Sequence, residues 1–387
     1  MEAEIVDVLE VRLVEGQAVR FGVDVGGGRA YNAVVVLEGV TASGERVRGV
    51  GESHFRSRRE GRDADASWEK LAQDVSGLAG TVLVFELGDA LLDSVRAQVH
   101  AIVGDEGRKR GFEGLRLGVE TALLGLVADG LNCSVAELLA EGRPVSGVVP
   151  VEVPVLSVRG RSHSGIVAQI QAAGFAGDGE AWIDFGSRFG PKVASAWVDR
   201  LDELVGEGVS GSFVEYRPLQ RKDLSSQGGL SVEARATLGK VSVARDVTHQ
   251  NALSRDASLG SSFNRVVVRP TGMGSLIRAS RLIAELGKLG ASHIYVAQDR
   301  GIGPVGLQAL RDLVQANEGL KGVLVQVGTV SPEVLDDRDD LSWLLTAPAV
   351  RYTGTEPLIG ERDKDFNQFE ELPYLQVLGP NGTKGHL

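Results

Sequence analysis

The chain has 387 residues, of which 43% are hydrophobic, so it is long enough for one large domain and a smaller one. Its formal net charge of −11 argues against a nucleic acid or an anionic membrane surface as partner, because both require clustered Lys and Arg. The single cysteine, Cys133, excludes an intramolecular disulfide and a thiolate metal cluster, and we expect it to be a small buried side chain in a helix.

The amino-terminal segment, Met1 to Val6, carries two glutamates and lacks the apolar core of a secretory signal. We also find no apolar run of about 18 residues that would span a bilayer. These features predict a cytoplasmic protein that does not enter a membrane.

Residues 1–150 predict an α+β domain. Asn32 to Glu38 and Arg46 to Glu52 alternate like a strand pair joined by a glycine-containing turn. Apolar residues then recur at helical spacing from Trp68 to Val103 and from Phe112 to Leu139. We therefore expect a hairpin or meander followed by helices that cover a core.

A different rhythm begins near Val151, where short β-branched runs alternate with amphipathic, helix-length stretches. The predicted strands are Val151–Val158, Trp182–Phe185, Phe213–Leu219, Val241–Val247, Val266–Arg269, His293–Ala297 and Gly322–Val327. The predicted helices include Pro191–Val205, Ser275–Leu289 and Pro304–Ala316. This alternation predicts a parallel sheet, because each parallel crossover needs about a dozen residues or more.

The number of strand–helix units favours a closed (β/α) barrel over residues 151–354, with an eighth strand near Val350 to Thr353. A doubly wound open sheet is the alternative, but no G-x-G-x-x-G motif follows an early strand. Residues 355–387 are predicted to form a tail that packs on the amino-terminal domain or on the barrel.

Three acidic residues lie in or at the end of consecutive predicted strands, namely Asp184, Glu215 and Asp246, and 31 residues separate each from the next. That spacing is about one βα unit, so it predicts that the three carboxylates approach one centre at the carboxyl ends of the strands. Like charges held together need a cation, and hard oxygen ligands suit Mg²⁺ or Mn²⁺. The alternative is that each acid caps a helix or pairs with a neighbouring arginine such as Arg217 or Arg245.

At these residues the sequence resembles the enolase superfamily, whose members hold Mg²⁺ on an acid from each of three successive barrel strands. Phe213–Leu219 resembles the second-ligand strand of that superfamily, and Val266–Ser275 resembles the lysine strand that follows. The stretch from Trp182 to Ala316 is most similar to methylaspartate ammonia-lyase, in which a glycine-bearing loop, here Gly186–Gly190, follows an Ile-Asp strand. Gly118–Leu139 resembles the helix pair of the amino-terminal cap. The resemblance implies a modified (β/α) barrel with a capping domain, and a homo-oligomer.

The sequence departs from that pattern in the expected general bases. A strand carrying Lys-x-Lys, or a histidine in the ammonia-lyases, would fall between Val158 and Trp182, an interval with no lysine and too short for a full βα unit. His163 is the only imidazole there, and it is a catalytic candidate or a solvated loop residue. By this resemblance Arg269 occupies the position of the general-base lysine on the strand Val266–Ser275, and a guanidinium is a poor base because it stays protonated up to about pH 12. Arg269 is instead a candidate to bind a substrate carboxylate, to stabilise enolate charge or to pair with a ligand acid.

Other candidates lie beyond the predicted strands. His249 follows Asp246 by three residues on a loop where catalytic groups concentrate, and it is the preferred base. Gln298 and Asp299 end the strand before the last, where we expect substrate contact, although Asp299 fits a helix cap equally well. Arg245, next to Asp246, is a further candidate substrate ligand.

The resemblance also suggests lids over the barrel mouth. Arg20–Arg29, with its four glycines, and Glu52–Arg59 are candidates for that role, and an ordinary surface loop explains them equally well.

These features predict a Mg²⁺-dependent lyase that abstracts a proton near a carboxylate of a small amino or hydroxy acid and eliminates ammonia or water through a metal-stabilised enolate. A racemase or epimerase would share the enolate but needs an acid or base on each face. The alternative from another class is a non-catalytic barrel that binds a ligand or partner, which the loss of both expected lysines favours.

Overall fold

The computed structural model describes residues 7–24, 29–55, 63–104, 112–147, 152–157, 181–184, 213–218, 242–246, 265–288, 290–291, 293–297, 304–317, 320–326 and 376–377, some of them by backbone alone. Within this part of the chain, no helix is both long enough and apolar enough to cross a membrane.

The first elements form an antiparallel sheet. Strands β1 (Val8–Asp24), β2 (Arg29–Thr41) and β3 (Arg46–Phe55) form a meander, which confirms the predicted strand pair within β2 and β3. A fourth strand, β4 (Val82–Glu86), pairs with the first part of β1. The two-residue strand Gln376–Val377 pairs with residues 19–20 of β1, so the carboxy-terminal part of the chain returns to this sheet.

Strand β4 corrects the predicted helical stretch, and strand β1 extends into one of the candidate lids. The predicted helical stretch from Trp68 to Val103 is interrupted by β4, in which Leu83 and Phe85 are buried while their neighbours are exposed. Alternation with period two decides the conformation of this short segment. Within the candidate lid Arg20–Arg29, residues 20–24 belong to β1 and residue 29 to β2, whereas residues 25–28 lie outside the described residues.

Helices cover one face of this sheet. They are α1 (Asp63–Ser76), α2 (Leu91–Val103) and α3 (Glu113–Gly130). A short helix, α4 (Val135–Ala140), follows and packs against α3. Helix α3 is buried along most of its length and packs across β3, where Gly49, Gly51 and Gly118 let the two backbones touch. A Cβ atom on Gly49 would lie 2.5 Å from the amide nitrogen of Leu126 in α3. Glycine is therefore required at this contact for steric reasons.

The second part of the chain forms a closed barrel of parallel strands in chain order. Its strands are β5 (Glu152–Ser157), β6 (Ala181–Asp184), β7 (Phe213–Pro218), β8 (Ser242–Asp246), β9 (Arg265–Val268), β10 (His293–Ala297) and β11 (Leu320–Gln326). All seven predicted barrel strands are confirmed, and closure excludes the open sheet.

The predicted eighth strand is wrong as a member of this barrel. Strand β11 pairs directly with β5, with Val323 opposite Glu152, so the position that an eighth strand would occupy is already closed. Residues 350–353, where that strand was expected, lie outside the described residues.

Helices α5 (Pro270–Met273), α6 (Leu276–Lys288) and α7 (Pro304–Gln315) follow β9 and β10. The last two confirm predicted helices, whereas the predicted helix Pro191–Val205 lies outside the described residues. The apolar faces of α6 and α7 share one core with β9, β10 and the helices of the amino-terminal domain. This shared core joins the cap to the barrel.

The second face of the cap sheet rests on the barrel through α7. Val34, Val36 and Val50 of the sheet form a separate buried cluster with Val305 of α7. The cap sheet is therefore sandwiched between α3 on one side and a barrel helix on the other.

Helix α7 also carries a buried carboxyl group. Asp312 is 6% exposed, and one of its oxygens accepts a hydrogen bond of 2.9 Å from the Gln308 amide. Burial raises the pKa of Asp312 to about 7, against the opposing effects of that hydrogen bond and of Arg311. The folded state thus keeps a proton that the unfolded chain releases at lower pH.

This carboxyl predicts a specific pH dependence of stability. Its stabilising contribution is complete below the unfolded pKa of 3.8 and is lost as the pH rises through about 7. Asp312→Asn should therefore gain thermal stability relative to wild type as the pH is raised from about 5 to about 8. The exposed Asp93, whose pKa is lowered chiefly by a hydrogen bond from Arg281, provides the matched control. Asp93→Asn should show a constant difference over that range, and an equally constant difference for Asp312→Asn would refute the assignment.

Candidate functional site

The strand register shows which of the three predicted metal ligands occupy the same alternating set of positions. Asp184 is the last residue of β6 and Asp246 the last of β8, whereas Glu215 is the third residue of β7, opposite Ile183 and Val243. Positions in register share a face of a sheet, and successive positions alternate between faces. By this count Asp184 and Asp246 belong to one alternating set of positions and Glu215 to the other.

Strand β9 identifies which set faces the barrel interior. Val266 and Val268 belong to the core shared with the helices, whereas Val267 is fully buried without belonging to that core, so Val267 faces the interior. Asp246 lies opposite Val267. The position of Asp246, and with it that of Asp184, therefore belongs to the interior set, at the carboxyl ends of two alternate strands.

Alternate strands contribute the side chains of one layer inside a (β/α) barrel. Asp184 on β6 and Asp246 on β8 satisfy this condition, with β7 and Glu215 between them. Among the side chains that the structure describes, no group of three or more His, Cys, Asp or Glu could hold a metal ion. The side chains of these three acids lie outside that part, so the metal site stays a prediction.

Arg269 directly follows β9, at the rim where β8 ends in Asp246. Its backbone is extended, with φ −115° and ψ 100°, so the alternation continues from Val267 to Arg269. Its carbonyl oxygen accepts hydrogen bonds from the amides of Gly272 and Met273, which fixes the backbone at the start of α5. Arg269 thus lies at the carboxyl end of the strands, as predicted, and its side chain is half-buried.

Arg245 takes a different position from the one expected of a substrate ligand. It lies opposite Arg217 and Val266, in the alternating set whose described member Val266 packs against the helices. The register does not favour contact with a molecule inside the barrel.

The remaining predicted site residues lie outside the described residues, namely His163, His249, Gln298 and Asp299. Described elements nevertheless flank two of these positions. His249 follows the end of β8, and Gln298 directly follows β10, so both belong to segments that leave the carboxyl ends of barrel strands.

A buried glutamate of the cap holds the start of α6, the second helix after Arg269. Glu120, in α3, is 2% exposed and accepts hydrogen bonds from the Ser275 hydroxyl at 2.7 Å and from the Ile277 amide at 3.1 Å. These groups form the amino terminus of α6, where a carboxylate satisfies amides that lack partners within the helix. Burial raises the pKa of Glu120, while its hydrogen bonds oppose the rise.

A second cap carboxylate does the same for the helix that follows β10. Glu52, on β3, is 4% exposed, and its Oε2 accepts a hydrogen bond of 2.8 Å from the amide of Gly306 in the first turn of α7. The residue before Pro304 is Gly303, which has no side chain to cap the helix. The cap domain therefore fixes the starts of both helices behind the rim where β9 and β10 end.

Sequence reasoning did not identify these two glutamates. Glu120 carried a usable signal, since it stands alone among apolar and small residues from Leu117 to Ala128. A single charge within a buried helical run requires a partner, which identifies it as a residue to inspect.

Cys133 lies in the turn between α3 and α4, whereas the sequence predicts a position within a helix. It is half-buried against the main core, and burial raises the pKa of its thiol to about 11. A thiol in that state is not a nucleophile at neutral pH.

Solved structures match the chain over most of its length. A dipeptide epimerase from Enterococcus faecalis V583, complexed with Mg and the dipeptide L-Leu-L-Tyr, matches with a TM-score of 0.56 at 13% identity, covering 81% of this chain and 90% of the epimerase chain. The L-Ala-D/L-Glu epimerase from Bacillus subtilis matches with a TM-score of 0.55 at 13% identity over 81% and 89% of the two chains. A member of the enolase superfamily from Roseovarius nubinhibens ISM matches with a TM-score of 0.54 at 14% identity over 82% and 85%. This chain shares the fold of these structures, one of which is named as a member of the enolase superfamily.

This enolase-type fold confirms the predicted modified (β/α) barrel with an amino-terminal cap. No protein-family model matches the sequence, and no curated protein matches it. The finer resemblance to methylaspartate ammonia-lyase stays a prediction.

Proposed function

We propose that this protein is a Mg²⁺- or Mn²⁺-dependent enzyme that abstracts a proton from the carbon next to a carboxylate of a small substrate. Asp184, Asp246 and Glu215 would hold the cation. The observation that carries the proposal is the placement of Asp184 and Asp246 at the carboxyl ends of alternate strands of a closed barrel, in the interior set of positions.

The donor set fits a hard divalent cation. Carboxylate oxygens without Cys or His suit Mg²⁺, which keeps several waters and accepts a substrate oxygen. When bound, such a cation stabilises the negative charge that develops as the adjacent carbon loses its proton. On the register, Asp184 and Asp246 are the first candidates for ligands. Glu215 shares the alternating set of Arg245, the set that faces the helices, and would be at most a weak third ligand.

Arg269 would bind the substrate carboxylate. Its permanent charge and its planar pair of donors match a carboxylate in two-point fashion, and its position at the end of β9 places it beside the strand of Asp246. The proton would be removed by a neutral imidazole, for which His249 is the first candidate and His163 the second. Gln298 and Asp299 would complete the contacts to the substrate.

Return of the proton on the opposite face would make the protein an epimerase or racemase, and loss of ammonia or water would make it a lyase. The solved structures with this fold that are named for epimerisation of dipeptides or of L-Ala-D/L-Glu support the first outcome. We therefore place epimerisation of a small amino-acid derivative ahead of elimination.

A second candidate function is a barrel that binds a carboxylate ligand without turning it over. Arg269 favours it, because the group at the end of β9 can hold a carboxylate but cannot take a proton. This binding function needs neither His249 nor His163.

Two measurements separate these functions. Addition of Mg²⁺ should raise the melting temperature, since a ligand that binds the native state stabilises it. Incubation with dipeptides and small amino or hydroxy acids in D₂O should then show deuterium at the carbon next to the carboxylate if the proton is returned, as in an epimerase. Elimination would instead give an alkene product, and NMR distinguishes the two. A protein stabilised by a carboxylate but giving neither exchange nor an alkene would be the non-catalytic barrel, and absence of any Mg²⁺ effect would refute the metal site.

A further inference from the structure

We infer that the outer face of strands β1 and β4 is the surface through which two copies of this chain associate. Among the residues whose side chains the structure describes, the exposed large apolar residues all lie on this face: Val14 at 61%, Val82 at 51%, Val8 at 44% and Val84 at 39%. Such residues on a monomer are usually scattered singly, so their concentration on one face, among charged residues, points to an interaction surface.

The register arranges these residues in rows across the two strands. Val8 is opposite Glu86, Glu10 is opposite Val84, and Arg12 is opposite Val82. Val14, exposed like Glu10 and Arg12, extends the face beyond the last of these rows. The face thus has an acidic row, a basic row next to it, and apolar residues at both ends.

This pattern is complementary to itself. Consider a twofold axis that lies in the plane of contact, perpendicular to the strands, and passes between the Glu10 and Arg12 rows. Rotation about this axis reverses the order of the rows, so each row of one copy faces the row equally far from the axis on its other side in the second copy. Glu10 then meets Arg12 of the second copy, Val84 meets Val82, and Val8 meets Val14. An interface between identical copies must be complementary to itself in this way, and an unrelated partner would not require it.

The neighbouring strand extends the basic side. Arg12 is opposite Val40 on β2, and Val40 is opposite Arg46 on β3, with both arginines exposed. Glu86 extends the acidic side in the same way. The opposite charges of the adjacent Glu10 and Arg12 rows fix the direction of the second copy, because a parallel arrangement would bring like charges together.

The copies should pack face to face and not edge to edge. Helix α2 closes the free edge of β4, where the Gln98 amide donates a 3.0 Å hydrogen bond to the carbonyl of Val84 and the Ser94 hydroxyl accepts a 3.1 Å bond from the amide of Glu86. An edge covered in this way cannot add a strand from another chain. The open surface is the face of the sheet.

The test is the mass of the full-length protein in solution at tens of micromolar, measured by light scattering and sedimentation. Wild type should be at least dimeric. Val84→Lys should raise the Kd of the dimer by more than about tenfold, because it places a charge against the valines of the second copy. Glu10→Arg and Arg12→Glu should each weaken it as well, whereas the double variant should restore it, because exchanging both charges in both copies recreates the pairs.

Each variant must still fold as a monomer, so its monomer should melt at the temperature of the wild-type monomer. Glu285→Arg, on the exposed side of α6, controls for the same change of charge elsewhere. A monomeric wild type would overturn the inference. If Val84→Lys then lowered the stability of that monomer, the face would be covered by another segment of the same chain. A wild-type dimer that Val84→Lys leaves intact, or a double variant no better than the single ones, would overturn the inference equally.

Discussion

Gly51→Ala is expected to destabilise this protein by about 3 kcal/mol or more, at the upper end of what overpacking costs. The added Cβ atom would meet the carbonyl oxygen of Gly118 and lie 2.6 Å from the amide nitrogen of Ala122, both in the backbone of α3. Backbone atoms cannot rotate away as a flexible side chain does. Relief therefore requires α3 to move from β3, which would open the main core around it.

The matched control is the same substitution in α6. Gly287 is exposed within that helix, and no atom outside its own helical turn lies within 4 Å of an added Cβ. Because alanine favours helix over glycine, Gly287→Ala should leave the protein as stable or raise its stability by about 0.5–1 kcal/mol. Chemical denaturation of both variants measures the contrast, and equal midpoints would show that β3 and α3 do not touch through their backbones.

The barrel strands could be predicted from the sequence because each is a short β-branched run between helix-length segments. The predicted Trp182–Phe185, for example, is observed at Ala181–Asp184, and His293–Ala297 is exact. The number of strand–helix units favoured a closed barrel, but the pair of strands that closes it could not be predicted from the sequence. Closure depends on the pairing of Val323 with Glu152, which are far apart in the chain, and no local pattern reports that contact.

In the candidate site, too, spacing along the chain identified residues, whereas their relative positions depend on tertiary structure. Regular spacing along the chain brought Asp184, Glu215 and Asp246 together as candidates, but spacing does not reveal the register of the strands. The pairing of Ile183 with Glu215 sets that acid one position out of phase with the two aspartates. The contacts of Glu52 and Glu120 with the starts of α7 and α6 cross between domains, so they too depend on the fold.

That difference of phase predicts unequal effects from the three acids. Saturation with Mg²⁺ at about 100 times its Kd should stabilise wild type by about 2.7 kcal/mol. Asp184→Asn and Asp246→Asn should each abolish this stabilisation, because each removes a negative oxygen ligand from the interior set. Glu215→Gln should retain part of it. A purely sequence-based triad predicts three equal losses.

The metal-free proteins distinguish a lost ligand from a damaged fold. Without the cation, neutralising one of several neighbouring carboxylates relieves repulsion, so Asp184→Asn should melt at or above the wild-type temperature while its response to Mg²⁺ disappears. Asp93→Asn, at an exposed position on α2, should leave both quantities unchanged apart from its surface ion pair with Arg281. If Asp184→Asn and Asp246→Asn respond to Mg²⁺ as wild type does, the two strand ends do not share an ion, and the chemistry proposed for this barrel has no metal to support it.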